Sequence, residues 1–264
     1  MNERGPFPTE GDIEGDIAEA ASPRHAITGR LTAAALILLV LASAALTLLR
    51  SPYFHVENIE VHGIRDLTAQ EIIVSCGLGR NENIFDVDLA MIASRIKANP
   101  KVDKVVVRRR LPCTIMVEIE ERVPVAVLPY AGYYVQVDNT GLAVGLLEGY
   151  RDSRLPLVTG LAVQAVRVGH TVEAPELSLA LGIAKSLPEK LLAQVSEINF
   201  DAARGFSLHM QYGTRVILGE GDLRQLASRI KVLEAILSRL EEEGRQATYI
   251  DVRFEKRPVV RDRR

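Results

Sequence analysis

Residues Leu31–Leu49, LTAAALILLVLASAALTLL, carry no charge and only three polar side chains, Thr32, Ser43 and Thr47. As an α-helix this run rises roughly 28 Å, close to the hydrocarbon thickness of a bilayer. Arg30 and Arg50 bound it, and no other stretch is as apolar for as long. It divides the chain into a head, residues 1–30, and a tail of more than 200 residues on opposite sides of a membrane. A cleaved signal peptide is the rival reading, because Ala42-Ser43-Ala44 has the small-residue pattern of a cleavage site. Against it, the head is long and net acidic, with Arg4, Arg24 and Arg30 facing Glu3, Glu10, Asp12, Glu14, Asp16 and Glu19. The apolar run also resumes through Ala45–Leu49. An uncleaved anchor is therefore expected. The flanking cations, Arg24 and Arg30 before and Arg50 after, favour an inside N-terminus only slightly and do not decide the orientation. A short head and one large tail suit a signal-anchor that exports the tail.

The formal net charge of −2 gives the chain no general basic field, which argues against nucleic acid as a partner. Cys76 and Cys113 both fall in the tail, where they are able to pair if it lies outside the cytoplasm. Two partly buried thiols is the simpler reading, since sequence does not bring their Cα atoms into bonding range. Residues 1–23 hold Gly5, Pro6, Pro8, Gly11 and Gly15 among many acids and few large apolar residues, the composition of a disordered segment.

After Arg50-Ser51-Pro52, the stretch Phe54–Gly63 reads as a strand. Thr68-Ala69-Gln70-Glu71 matches a capping box, and Gly77 is the stop of the short helix that follows. Asp88 opens a second helix, with Leu89, Ile92, Ala93 and Ile96 at helical spacing, that must end before Pro100. Val102–Arg109 and Thr114–Glu121 are strands, the second alternating Ile115, Val117 and Ile119 with Met116, Glu118 and Glu120. Arg108-Arg109-Arg110 is expected to pair with Glu118, Glu120 and Glu121 across the sheet, as an ordinary solvated face. The order strand, helix, helix, strand, strand makes a compact α+β unit.

From Val123 the pattern becomes short strands broken by turns. Tyr133–Val137, the turn Asp138-Asn139-Thr140-Gly141 and Leu142–Leu147 form a hairpin. Leu155–Gly160 is extended, Pro175 opens a helix to about Leu187, and Pro188 breaks or restarts it. Glu197–Phe200, Phe206–Tyr212 and Thr214–Leu218 are strands. Asp222 caps the longest helix of the tail, with Leu223, Leu226, Ala227, Ile230, Leu233, Leu237 and Leu240 in one stripe and Gly244 closing it. Thr248–Phe254 is read as the last strand, followed by a basic end.

No constellation for catalysis emerges. His25, His55, His62, His170 and His209 have no metal-ligand spacing, and the chain contains no HExxH, CxxC, GxSxG or P-loop. Asp138, Glu118 and Glu120 are explained by turn chemistry and a polar strand face. The tail reads as a binding module with no catalytic residue, metal site or cofactor and no small-molecule substrate.

Five segments in order behind one anchor resemble the bacterial cell-division family FtsQ, called DivIB in Gram-positive bacteria. They are YFHVENIEVHG (Tyr53–Gly63), RRLPCTIMVEIEERVPVA (Arg109–Ala126), VDNTG (Val137–Gly141), LPLVTG (Leu155–Gly160) and YIDVRF (Tyr249–Phe254). The resemblance runs from the anchor to Phe254. It implies an α+β chain: a single transmembrane helix (31–49), a β-α-α-β-β POTRA domain (53–122), a mixed β-rich domain with flanking helices (123–258) and a short basic tail (259–264).

It further implies a non-enzymatic scaffold of the division machinery at the septum. Such a protein is single-pass type II in the cell membrane, with a cytoplasmic N-terminus and extracytoplasmic domains. Its β domain would bind FtsB/DivIC-like and FtsL-like single-span proteins and act indirectly on FtsW and FtsI, which make septal peptidoglycan. The family's partner-binding strand falls on Tyr249, Asp251, Arg253 and Phe254, and its contacts continue to Lys256 and Arg257. A terminal strand at a sheet edge exposes unpaired N–H and C=O groups that accept a partner strand. Along such a strand Tyr249, Asp251 and Arg253 share the accessible face, and Ile250, Val252 and Phe254 the core face. The alternatives are a POTRA-type assembly factor for envelope or secreted proteins and a membrane-anchored envelope hydrolase. The chain has neither the repeated POTRA units and barrel strands of the first nor the nucleophile or metal set of the second.

Overall fold

The computed structural model describes residues 23–79, 81–150 and 155–263. Helix α1 (Pro23–Leu49) contains the apolar run, of which Thr32–Leu49 is long and apolar enough to cross a membrane, with none of it buried. It fits a single-pass membrane anchor. The helix begins eight residues earlier than Leu31, with proline at its first position, where the missing N–H costs nothing. The expected disorder of the head lies, for residues 1–22, outside the described residues.

Residues from Tyr53 onward carry two sheets. The first is built by β1 (Asn58–His62), α2 (Ala69–Cys76), α3 (Leu89–Lys97), β2 (Val102–Arg110) and β3 (Thr114–Glu121), in the spatial order β1-β3-β2. β1 runs parallel to β3, and β2 antiparallel to it. The start signals in the sequence are real caps. Thr68 Oγ1 accepts the Glu71 N–H, and the Glu71 carboxylate accepts the Thr68 N–H. Asp88 accepts the N–H groups of Ala90 and Met91. Gly77 ends α2 in the left-handed region at φ 60°. Alternation along β3 buries Ile115, Val117 and Ile119 against Ile72, Cys76, Ile92 and Ile96 from the two helices, each worth about 1.5–3 kcal/mol of transfer free energy.

The arginine run is only partly paired as expected. Arg108 meets Glu118 at 3.1 Å, and Lys104 meets Glu120 at 2.9 Å. Arg110 instead reaches Glu60 on β1, at 2.8 Å. Arg109 lies along the edge of the 84–87 loop and donates to the carbonyls of Ile84 (2.7 Å) and Val87 (2.6 Å). Glu121 turns away from all three. Its carboxylate accepts the N–H groups of Arg65, Asp66 and Leu67 at 2.6–3.1 Å. Burial alone would raise its pKa, but these three donors outweigh it and hold the carboxyl below its ordinary value.

The next residue, Arg122, points the other way. Its Nε donates to the Pro100 carbonyl and its Nη1 to Asp138 of the following domain. The second sheet begins directly after it: β4 (Pro124–Tyr130), β5 (Tyr133–Asp138), β6 (Ala143–Leu147), β7 (Leu157–Thr159), then helices α4 (Leu177–Ser186) and α5 (Glu189–Leu192), β8 (Val195–Asp201), β9 (Gly205–Met210), β10 (Arg215–Gly219), α6 (Leu223–Glu242), β11 (Ala247–Asp251) and β12 (Val259–Asp262). The nine strands follow the order β12-β11-β10-β9-β8-β7-β4-β5-β6. Most neighbours are antiparallel; β4, β7 and β8 pair parallel, as do β10 and β11 across the α6 crossover. The Asp138–Gly141 turn forms as expected, with Asp138 Oδ1 accepting from Thr140 N, Thr140 Oγ1 and Leu142 N at 2.7–2.9 Å. In the LPLVTG segment Gly160 has φ +78°, and a Cβ there would stand 1.8 Å from the Phe200 carbonyl oxygen, so only glycine lets β7 end against β8.

Helices α4 and α6 cover one face of this sheet. Ile183, Leu226, Ile230, Leu233 and Leu240 meet Leu128, Ile198, Leu208, Val216 and Leu218 in one core. Asp222 caps α6, reciprocated by Gln225. Leu223, expected in the apolar stripe, is 44% exposed and lies over Gly182 of α4, where a Cβ would come within 2.5 Å of its methyl.

The end of the chain departs from the sequence reading. The strand expected at Thr248–Phe254 spans only Ala247–Asp251, and it is not the last. Val252 still donates to the Ile217 carbonyl at 3.1 Å, but the Asp251 carboxylate captures the Arg253 N–H at 3.0 Å and turns the backbone off the ladder. Pro258 then leads into β12, which pairs antiparallel with β11. Residues 259–262 are thus a strand of the β domain and not a basic tail beyond it.

Candidate partner-binding edge

The strand pair β11–β12 distributes the six expected binding residues over three environments. Tyr249 and Asp251 lie on β11, between β10 and β12. Tyr249 is half-buried, and its hydroxyl donates to Asp251 Oδ2 at 3.4 Å. Asp251 is buried, 8% exposed, contrary to the accessible place expected for it. Arg253 holds it from above, through Nε at 3.1 Å and Nη2 at 2.7 Å. The bonds from Arg253 outweigh burial and keep the Asp251 carboxyl below its ordinary pKa, while the guanidinium is raised in turn. Tyr249, Asp251 and Arg253 therefore meet through their side chains and are tied to one another.

Phe254, Lys256 and Arg257 occupy the exposed turn between the two strands, where the Arg257 N–H donates to the Phe254 carbonyl at 2.9 Å. Ile250 and Val252 are fully buried, as expected of the core face, whereas Phe254 is 70% exposed. It falls outside the strand, so strand alternation no longer sets its direction.

The open edge belongs to β12. All four of its residues, Val259, Val260, Arg261 and Asp262, are exposed. The Arg263 N–H donates to the Gln246 carbonyl at 2.7 Å. Alternation along an antiparallel strand then turns the N–H groups of Arg261 and Val259 toward β11, and those of Val260 and Asp262 outward. The far end is clamped: Asp262 pairs with Arg245 at 2.5 Å, and Arg263 donates to the Gln246 side chain at 3.0 Å and to the Tyr212 carbonyl. Beside that clamp opens a groove of about 610 Å³, lined among others by Leu191, Met210, Tyr212, Leu237 and Arg245. Sequence reasoning missed β12. Its only signal is Val259-Val260 after a proline, too short for a period to register.

Among the described residues no group of three or more His, Cys, Asp or Glu side chains is arranged to hold a metal ion. What this edge offers is main-chain donors and acceptors, two β-branched side chains, and Phe254, Lys256 and Arg257 at its start.

The family models agree with this domain order. The family model described as "POTRA domain, FtsQ-type" matches residues 54–122, and "Cell division protein FtsQ/DivIB, C-terminal" matches residues 126–253. The chain is 32% identical to the cell division protein FtsQ of Geotalea daltonii over 217 residues, 79% of this chain and 76% of that protein. It is 28% identical to FtsQ of Syntrophotalea carbinolica over 238 residues, covering 89% and 83% of the two chains. Among solved structures, the major extracytoplasmic domain of DivIB from Geobacillus stearothermophilus is similar at 17% identity and a TM-score of 0.33, over 47% of this chain and 97% of that one. A POTRA domain and a β-rich domain behind an apolar helix, the two domains matched in order by the two family models and the chain by relatives along most of their length, make this chain a member of the FtsQ/DivIB family of cell-division proteins.

Proposed function

We propose that the protein is a non-enzymatic scaffold of the division machinery, anchored at the septum by α1 with its N-terminus in the cytoplasm. Its β domain captures an extended segment of a single-span partner of the FtsB/DivIC or FtsL kind, and through that complex influences septal peptidoglycan synthesis by FtsW and FtsI. The observation that carries this reading is the open edge of β12. The outward N–H groups of Val260 and Asp262 make a template for an added strand. Phe254, Lys256 and Arg257 flank one end of the template and the groove flanks the other. Tyr249 and Asp251 act from behind, by holding β11 and the Arg253 turn in place.

Proline scanning of the edge tests the mechanism. Val260→Pro removes an outward donor and leaves the ladder to β11 intact. It is expected to weaken binding of an FtsB-like extracytoplasmic segment about tenfold, the value of one main-chain hydrogen bond lost without replacement. Unchanged binding by Val260→Pro excludes strand addition at β12. A fluorescent fusion tests the setting: a midcell band is expected, and uniform envelope labelling contradicts it.

A further inference from the structure

We propose that the end of the POTRA domain nearest the anchor in sequence rests in the membrane interface, with Tyr53, Phe85 and Leu111 as its apolar contacts to lipid. Three segments distant in sequence meet at this end. The Ile84 N–H donates to the Phe54 carbonyl at 2.8 Å, and the Val56 N–H to the Glu82 carbonyl at 2.9 Å. The Glu57 N–H donates to the Cys113 carbonyl at 2.9 Å, which brings the β2–β3 turn to the same place. Arg109 ties that turn to the 84–87 loop through the Ile84 and Val87 carbonyls.

On this end three large apolar side chains are exposed. Tyr53 is 67% exposed, Leu111 58% and Phe85 41%. Phe54 holds the two aromatic neighbours in place, with its ring centroid 5.2 Å from that of Tyr53 and 5.2 Å from that of Phe85. Isolated exposed apolar residues need no explanation, but three gathered at one end mark a contact surface.

The chain itself names the occupant. Tyr53 follows Leu49 by four residues, so it stays within about 14 Å of the end of the apolar helix however that helix is oriented. The interfacial layer on each side of a bilayer is roughly 5–8 Å deep, the zone in which tyrosine rings are enriched. The contact is apolar and not electrostatic. Arg110 is paired with Glu60, Arg109 is engaged with backbone carbonyls, and Glu57 and Asp86 are exposed at the same end.

The chain has no tryptophan, so a single introduced one reports its own surroundings. The full chain, as Tyr53→Trp, Phe85→Trp, Leu111→Trp or Val123→Trp, is reconstituted into phosphatidylcholine vesicles. The lipid is brominated either near the headgroup or near the chain end. Val123 is the reference: it is 62% exposed and follows Glu121 at the opposite end of β3, more than about 20 Å from the Cys113 turn. Blue-shifted emission quenched by the shallow bromines is expected at positions 53, 85 and 111, with no quenching at 123. The same result is expected when phosphatidylglycerol is added. Quenching at 85 and 111 no greater than at 123 overturns the proposal, as does quenching that appears only with phosphatidylglycerol. None of these readouts involves β12, so they stand apart from the partner-binding experiment.

Discussion

Arg122 and Asp138 form an ion pair with Nη1 and Oδ2 2.5 Å apart, in which the side chains are only 13% and 2% exposed. It joins the last residue of the POTRA match to the β5–β6 turn of the β domain. Arg122 also approaches Asp103 at 3.3 Å, and its Nε is held by the Pro100 carbonyl.

Removing one side of a pair this buried leaves a charge without its partner, which costs more than an exposed bridge ever contributes. Arg122→Ala is expected to lower stability by about 3 kcal/mol. Arg122→Lys is expected to recover less than half of that, because a single ammonium cannot serve Asp138 and the Pro100 carbonyl together. Urea unfolding followed by tyrosine emission measures both. A loss under about 0.5 kcal/mol for Arg122→Ala would mean that the joint is solvated.

Acid should act on the same joint. Burial alone would raise the Asp138 carboxyl, but hydrogen bonds from Thr140 and Arg122, with the Leu142 N–H, outweigh it and hold the carboxyl below its ordinary value. Glu121 is held down in the same direction. A carboxylate depressed in the folded state stabilises above its unfolded pKa and loses that contribution as pH falls through its folded pKa. Stability is therefore expected to be level above about pH 5 and to decline from about pH 4 downward. Thermal melts of the Asp138→Asn, Glu121→Gln double variant should start lower at neutral pH and show a shallower acid slope. An acid slope equal to that of the unmodified chain would place the titrating groups elsewhere.

The two cysteines are free, Cys76 buried in the POTRA core and Cys113 half-buried at the β2–β3 turn. Burial pushes the Cys76 thiol up, against a smaller opposing backbone hydrogen bond, which makes it a poor nucleophile at neutral pH. Maleimide labelling of the folded chain should modify Cys113 first and reach Cys76 only on unfolding. Equal rates at the two thiols would show that the core around Ile72 and Ile96 opens readily.

Much of this fold was legible in the sequence because it is written in local signals. Thr68 with Glu71, Asp88 and Asp222 announce helices through caps that involve residues within a few positions. The alternation of Ile115, Val117 and Ile119 announces which face of β3 is covered. The Asp138-Asn139-Thr140-Gly141 turn is closed by one side chain. The contacts that were not legible are long-range. Nothing near Glu121 says that its carboxylate will serve Arg65–Leu67, and nothing near Arg110 says that it will choose Glu60 over the glutamates of its hairpin partner. The edge strand was missed for a different reason. Periodicity detects burial, and β12 buries no side chain. Asp251 misled in the opposite sense, since a charged residue on a presumed edge reads as accessible until Arg253 is seen to fold back over it.

Glu121 and Arg122 are neighbours on an extended chain, so their side chains leave on opposite sides. One grips the loop before α2 and the other the β5–β6 turn of the β domain. Rotation about this joint must break the Arg122 grip on Asp138, while Glu121 fixes the end of β3 from which Arg122 leaves. A flexible linker would let the two domains sample many orientations, and that freedom would be lost on meeting a partner. Here the orientational entropy is surrendered during folding, so under the proposed strand addition a partner would find the direction of β12 already set relative to the POTRA domain. The tightness of that proposed encounter would then be set in part by two residues more than 130 positions away from the edge they aim.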